Sequence, residues 1–381
     1  MTPRERVLEF ISGRVLGPPP VLPQYLGLYR HRYCAAFLRE AYRERVGEGR
    51  TVAVDFDTHL ALLLEAEERT DALFEPLPDW VEVGLGLTHV DCFGARARVD
   101  GDDLWWFPPG SSRPANLTRP EPCVGRWETG IDTLDLAALN EAVPIPEPCE
   151  LLASGAFELA RQRIARHGGE RTIVFSGLAA PFWSTFGVVG FAGLMGLLAA
   201  GDWVTVRYMM ERSVRRSLAY AWAAKQIGAD IVFIEECLAS SDVISEADFQ
   251  RYPLPYEHRL VGDIQRLGLP AVLYFCGGIE ERLRHLKYVG ANVLSFEESK
   301  KGFTIDLARV RQELGPRQAL LGNLDVRLLE EGANGRLERE LAWQREAAGT
   351  GAFAHSNGSP LTPGTLPEHV GGWVRLARLV G

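Results

Sequence analysis

The chain has no excess of basic residues. Among 381 residues, 41 Lys and Arg face 50 Asp and Glu, for a formal net charge of −9. Nucleic acids are held by broad basic faces that release counterions, so they are not expected partners. Also missing is any CxxC pair among Cys34, Cys92, Cys123, Cys149, Cys237 and Cys276, and the opening MTPRERVLEF does not read as a secretory signal. A reducing, cytoplasmic setting is the expectation. No apolar run reaches the roughly 20 residues of a membrane span. The longest, GVVGFAGLMGLLAAGDW (187–203), is rich in glycine and closes around Asp202, which reads as a buried helix over the core and gives no reason to expect a membrane.

What is present is a large apolar reserve. With 46% hydrophobic and 24% charged residues the chain can fill a sizeable core and is too apolar for disorder. Eight short segments share one form, a few apolar residues ending in polar ones: VLPQYLG (21–27), TVAVDFD (51–57), TIVFSGL (172–178), DIVFIEE (230–236), AVLYFCG (271–277), NVLSFEE (292–298), ALLGNLD (319–325) and AFAHSNG (352–358). Apolar runs bounded by turn signals are what strands covered on both faces look like. Helical spacing lies between most of them, as in IEERLRHLKYVG (279–290) and LARVRQELG (307–315).

Strand, helix, strand at this pitch predicts a parallel sheet, and eight units predict a closed (β/α)₈ TIM barrel of the α/β class, with its active site at the C-terminal strand ends. One domain over 1–381 is expected. Residues 1–20 would supply an N-terminal helical cover, and about 81–150 an insertion of β-hairpins around DGDD and proline-rich loops over 108–123 and 144–150. The predicted rim then carries Gln24, Tyr25, Asp55, Asp57, Ser176, Glu235, Glu236, Tyr274, Cys276, Glu297, Glu298, Asn323, Asp325, His355 and Asn357.

Four stretches in the C-terminal half carry a resemblance: IGADIVFIEECLASSDVISEADFQRYPLPY (227–256), YFCGGIEERLRHLKYVGANVLSFEES (274–299), LGPRQALLGNLDVRLLEEG (314–332) and GAFAHSNGSPLTPGTLPEHV (351–370). In this order they resemble the uroporphyrinogen decarboxylase superfamily, which includes the tetrapyrrole decarboxylase and zinc-dependent methyltransferases that move a methyl group from a corrinoid to a thiol. The likeness covers about residues 200–381, with a weaker echo in PRERVLEFISG. Two departures stand out. The decarboxylase's Arg-Gln-Ala-Gly-Arg stretch is replaced by VLPQYLGLYRHRY, and the three zinc positions of the methyltransferases fall on Tyr274, Cys276 and Ser359.

The resemblance implies zinc-assisted methyl transfer between a corrinoid, supplied by a methyl-carrier protein, and a small thiol or similar acceptor. A metal-free decarboxylase of a tetrapyrrole or another carboxylated aromatic is the alternative, and a binding barrel without catalysis is a third. A homodimer follows by analogy only.

Cys276 is the first metal candidate, since a thiolate is a good zinc ligand; a buried thiol packing as a small hydrophobe is the plain alternative. Tyr274, two residues earlier, is expected on the same side of the strand as a hydrogen-bond donor. Of Glu235 and Glu236 alternation aims one inward; the expectation is Glu236, as third ligand or general base. His355 completes the proposed ligand set. The resemblance implies a catalytic role for Asp57, in VDFDTHL, at the place of the decarboxylase's aspartate after the second strand region. Arg30, Arg32, Asn323 and Trp106 are substrate-binding candidates, the tryptophan as a stacking surface or simply as packing of the insertion.

Overall fold

The computed structural model describes residues 1–14, 17–110, 113–119, 135–300 and 302–380. Its strands, numbered along the chain, are β1 (Thr51–Ala53), β2 (Trp80–Val83), β3 (Arg96–Asp100), β4 (Asp103–Phe107), β5 (Ala115–Asn116), β6 (Thr172–Ala179), β7 (Ile231–Glu236), β8 (Ala271–Phe275), β9 (Val293–Phe296), β10 (Ala319–Leu321) and β11 (Phe353–Ala354). Seven of them form one parallel sheet in the order β11-β10-β9-β8-β7-β6-β2.

Residues 20–22 close the gap between its edges. The His355 N–H donates to the Pro20 carbonyl at 2.9 Å and the Leu22 N–H to the His355 carbonyl at 2.8 Å. On the other edge the Asp79 N–H donates to the Val21 carbonyl at 3.0 Å, and the Asp79 carboxylate accepts from the Val21 N–H at 2.8 Å. The result is a barrel of eight staves, as the count of apolar runs predicts.

Most stave residues are apolar on both sides because both sides are covered. In β8 every residue is buried: Val272 and Tyr274 fill the barrel, while Leu273 and Phe275 meet the surrounding helices. Below the barrel, the helix Pro3–Ile11 starts on a Thr2/Glu5 capping box and inserts Val7, Phe10 and Ile11 under the interior. This is the expected N-terminal cover.

One stave differs from the sequence reading. Residues 51–53 are not in the barrel; β1 pairs antiparallel with β3 in a separate sheet of order β1-β3-β4-β5. The barrel's second stave is β2, inside the region read as insertion. TVAV alternates, which suits a strand wet on one face, and β1 is indeed exposed at Thr51 and Ala53. WVEV hides its character because Glu82 sits in the middle of an otherwise buried strand.

The expected hairpin is there: β3 and β4 pair from Arg96↔Phe107 to Asp100↔Asp103 and turn through Gly101, whose φ of 56° needs glycine. Of the proline-rich loop expected over 108–123, residues 111–112 and 120–123 lie outside the described residues.

The apolar run at 187–203 belongs mainly to the helix Pro181–Ala200, which by length and composition alone is long and apolar enough to cross a membrane. Here Phe182, Val189 and Leu194 join the main core, and the helix kinks at Gly190, with φ 71°.

Candidate functional site

Glu235 and Cys237 follow Phe233 on the inward side of β7, and Cys276 follows Tyr274 on the inward side of β8. A cavity of about 530 Å³ opens there, bordered also by Tyr25, Glu297, Lys300 and Ser359. Beside it lies a second cavity of about 560 Å³, with walls from Leu28, Val83, Leu159 and Phe233 and polar groups from Arg30, Glu82, Arg163 and Ser176. Tyr25, Glu235 and Pro360 border both.

Tyr25 immediately precedes the helix Leu26–Val46 and takes a left-handed backbone, φ 59°, uncommon for a residue with a Cβ. The turn directs its ring across the barrel axis, edge-on to Tyr274 at 5.4 Å and to Phe233 at 5.6 Å. Its hydroxyl donates to Glu235 Oε1 at 2.8 Å. Burial, reinforced by the Glu235 charge, pushes the phenol far above its ordinary range, so it stays a donor.

The Cys237 thiol donates to the same Glu235 oxygen at 3.2 Å, and Cys276 borders the same cavity on the neighbouring strand. Tyr274 and Cys276 do share a side of the strand: the hydroxyl lies 3.8 Å from Cys276 Sγ. Its better bond is to the Gly358 carbonyl at 2.9 Å. Across the cavity Lys300 Nζ pairs with Glu297 at 2.5 Å and Glu298 at 3.2 Å and donates to the Ser359 hydroxyl. Burial works against that ammonium, but the two carboxylates hold its pKa above the ordinary lysine range.

On the far wall, burial lifts Glu82 to a pKa of about 7, against the stabilising N–H of Gly27 at 2.7 Å. Behind it Arg30 pairs with Asp71 at 2.5 Å and Glu67 at 3.3 Å. Arg163 joins Glu67, and His167 meets Asp71 at 3.0 Å.

Several expected residues stand elsewhere. Glu236 faces the helix layer: it accepts from the Leu238 N–H at 2.9 Å and lies near Glu257, and burial raises its pKa to about 7. Val232 and Ile234 are on that outer side too, so the inward carboxylate is Glu235. His355 is fully buried, edge-on to Phe353 at 5.1 Å, on the outer face, away from Cys276. Asp57 is exposed in the first turn of the helix Phe56–Leu73.

Arg30 lines the second cavity, but Arg32 lies over the Tyr29 and Tyr33 rings and donates to the Pro363 carbonyl. Asn323 donates to the Glu297 carbonyl at 3.2 Å and borders a different cleft with Asp325 and Trp343. Trp106 is buried between the side sheet and its helices, 5.1 Å from His59, so packing is its role. Cys237, Arg163, Glu82 and Lys300 were not singled out by sequence. The string EEC after a strand was the available signal for Cys237.

The donor set does not fit the zinc ion that the resemblance implies. The Ser359 hydroxyl is taken by Lys300, whose ammonium also ties up Glu297 and Glu298 at the same cavity. Glu235 is bonded by Tyr25 and Cys237. Among the described residues no three His, Cys, Asp or Glu side chains are placed to hold a metal ion.

A sequence profile of the uroporphyrinogen decarboxylase family matches residues 135–379. A uroporphyrinogen decarboxylase from Syntrophotalea carbinolica is 29% identical over 74% of this chain and 79% of its own length. A methylated-thiol--coenzyme M methyltransferase from Methanosarcina mazei is 28% identical over 42% of the chain, a match that spans only 41% of that relative's length. Among solved structures a methyltransferase from Methanosarcina mazei superposes with a TM-score of 0.65 at 18% identity, covering 99% of this chain and 98% of the other.

Proposed function

Because the chain belongs to the uroporphyrinogen decarboxylase family, we propose that it is a methyltransferase, moving a methyl group between a corrinoid on a separate carrier protein and a small thiol or similar acceptor. The observation that carries this reading is the charge around the two cavities. Glu67, Glu82, Glu235, Glu297 and Glu298 border them against Arg30, Arg163, Lys300 and Arg327. Each of those cations already has a carboxylate: Glu67 and Asp71 for the first two, Glu297 and Glu298 for Lys300, and Asp325 for Arg327.

A tetrapyrrole bearing many carboxylates needs spare cations, so this mouth is a poor host for one. A small acceptor with an apolar body suits the walls of Leu28, Val83, Leu85, Leu159 and Phe233.

In this reading Glu235 is the general base. It borders both cavities, and Tyr25 fixes its orientation. The acceptor's S–H proton passes to the Glu235 carboxylate while a sulfur electron pair forms the new S–CH₃ bond; the pair of the broken bond stays with the methyl donor. Phe233 and the leucines keep water from competing for the methyl group. Tyr274, tied to Gly358, is a wall of the site.

The test is methylcobalamin consumption with a panel of small thiols, followed by its absorption spectrum. Removal of a general base costs about 10²–10⁴-fold, the loss expected for Glu235→Gln. Tyr25→Phe removes one charge-assisted bond and should cost roughly 10–100-fold. Turnover of uroporphyrinogen with no methyl transfer to any thiol would overturn the reading.

A further inference from the structure

Cys237 and Cys276 are neighbours by construction. β7 and β8 run parallel in register through Glu236↔Phe275, and the Cys276 N–H extends the ladder to the Glu236 carbonyl at 2.9 Å. Each cysteine follows its last paired residue directly, so the two stand side by side on adjacent strands, about 4.8 Å apart in a sheet. That spacing falls within the roughly 4.4–6.8 Å that a disulfide spans between Cα atoms. Both thiols border the same open cavity and both are half-buried, whereas Cys34 and Cys92 are buried in the side-sheet core.

We propose that Cys237 and Cys276 are a redox pair that forms a reversible disulfide at the barrel mouth, with a low-molecular-weight disulfide as oxidant. This is independent of the methyl-transfer reading. The Cys276 thiol, which neighbours the Tyr274 hydroxyl and stands beside Cys237 across the strand pair, attacks one sulfur of the oxidant. One small thiol leaves with the Cys276 proton, and a mixed disulfide remains. Cys237 then gives its proton to Glu235, 3.2 Å away, its sulfur displaces the second small thiolate from Cys276, and Glu235 passes the proton on to that thiolate. The protein loses two electrons and two protons, and one oxidant molecule becomes two thiols. A dithiol reductant reverses the sequence.

The experiment is incubation of the full chain with oxidised glutathione, then peptide mapping without reduction. Trypsin places Cys237 in residues 226–251 and Cys276 in 267–282. The expected product is these two peptides joined and free of glutathione, separated again by dithiothreitol, while exposed Cys149 carries a glutathione adduct. Cys237→Ser should trap the mixed disulfide on Cys276, and Cys276→Ser should leave Cys237 unmodified. Independent glutathione adducts on both cysteines of the wild type would overturn the proposal. So would one equivalent of zinc fully protecting both thiols, which would make them a metal pair.

Discussion

Asn357→Ala removes the staple that joins the first stave to the last. The Asn357 side chain is fully buried. Its Oδ1 accepts from the Gln24 N–H at 3.0 Å, and its Nδ2 donates to the Gln24 carbonyl at 2.8 Å and the Ser359 carbonyl at 2.7 Å. Gln24 in turn accepts from Ser295 at 2.9 Å. Three bonds at a net ~1 kcal/mol each, plus the cost of leaving buried backbone groups unpaired, give a loss of about 3–5 kcal/mol. Asn323→Ala serves as the reference. Its amide makes only longer bonds, 3.2 and 3.5 Å, so about 1 kcal/mol is expected. Urea unfolding of the three proteins measures the difference. Because Tyr25 adjoins Gln24, methyl transfer should also fall in the Asn357 variant. A loss under about 1 kcal/mol, or one no larger than that of Asn323→Ala, would refute the closure described for residues 20–24.

Asp71 governs an acid limb of stability. Burial raises its pKa, but the His167 hydrogen bond and the Arg163 and Arg30 charges outweigh that and bring it to about 2. A depressed carboxylate stabilises above its unfolded pKa of roughly 4, so about 2 kcal/mol should be lost between pH 4 and pH 2. Urea midpoints against pH should show that limb in the wild type and not in Asp71→Asn. His355 acts higher on the scale: burial lowers it to about 4, and neither ring nitrogen has a hydrogen-bond partner among the described residues. Stability tied to it is present above pH 6.5 and falls by up to about 3 kcal/mol towards pH 4, a slope that His355→Leu should abolish. Glu257 has the opposite sign. Burial first, then the Glu236 charge, raise it well above the ordinary range, so its contribution is present at acid pH and lost as pH rises. Glu257→Leu should therefore stabilise by about 1–4 kcal/mol at pH 8, and a destabilised variant in calorimetry would refute it.

The barrel was legible because doubly covered strands write themselves as apolar runs. The same property hid which way each side chain points. In IVFIEE both faces are apolar, one toward the barrel and one toward the helices, so nothing in the string separates Glu235 from Glu236. Only the three-dimensional register does, and it shows Phe233 inside and Ile234 outside. The misplaced second stave has a different cause. A charge in mid-strand, Glu82, broke the apolar pattern of β2, while Asp57 seemed a rim acid although Asp55 was there to cap a helix through the Thr58 N–H at 2.8 Å.

The mouth itself is built from pairs that no single string contains. Glu235 meets Tyr25 across 210 positions and Lys300 meets Ser359 across 59; Cys237 meets Cys276 because two strands end at the same height. Sequence motifs report groups that lie close together along the chain, whereas the groups of this site are brought together by closure of the barrel. The strand ends therefore hold Lys300, matched by Glu297 and Glu298, at a cavity that both thiols also border, and such an arrangement is readable only from the closed barrel.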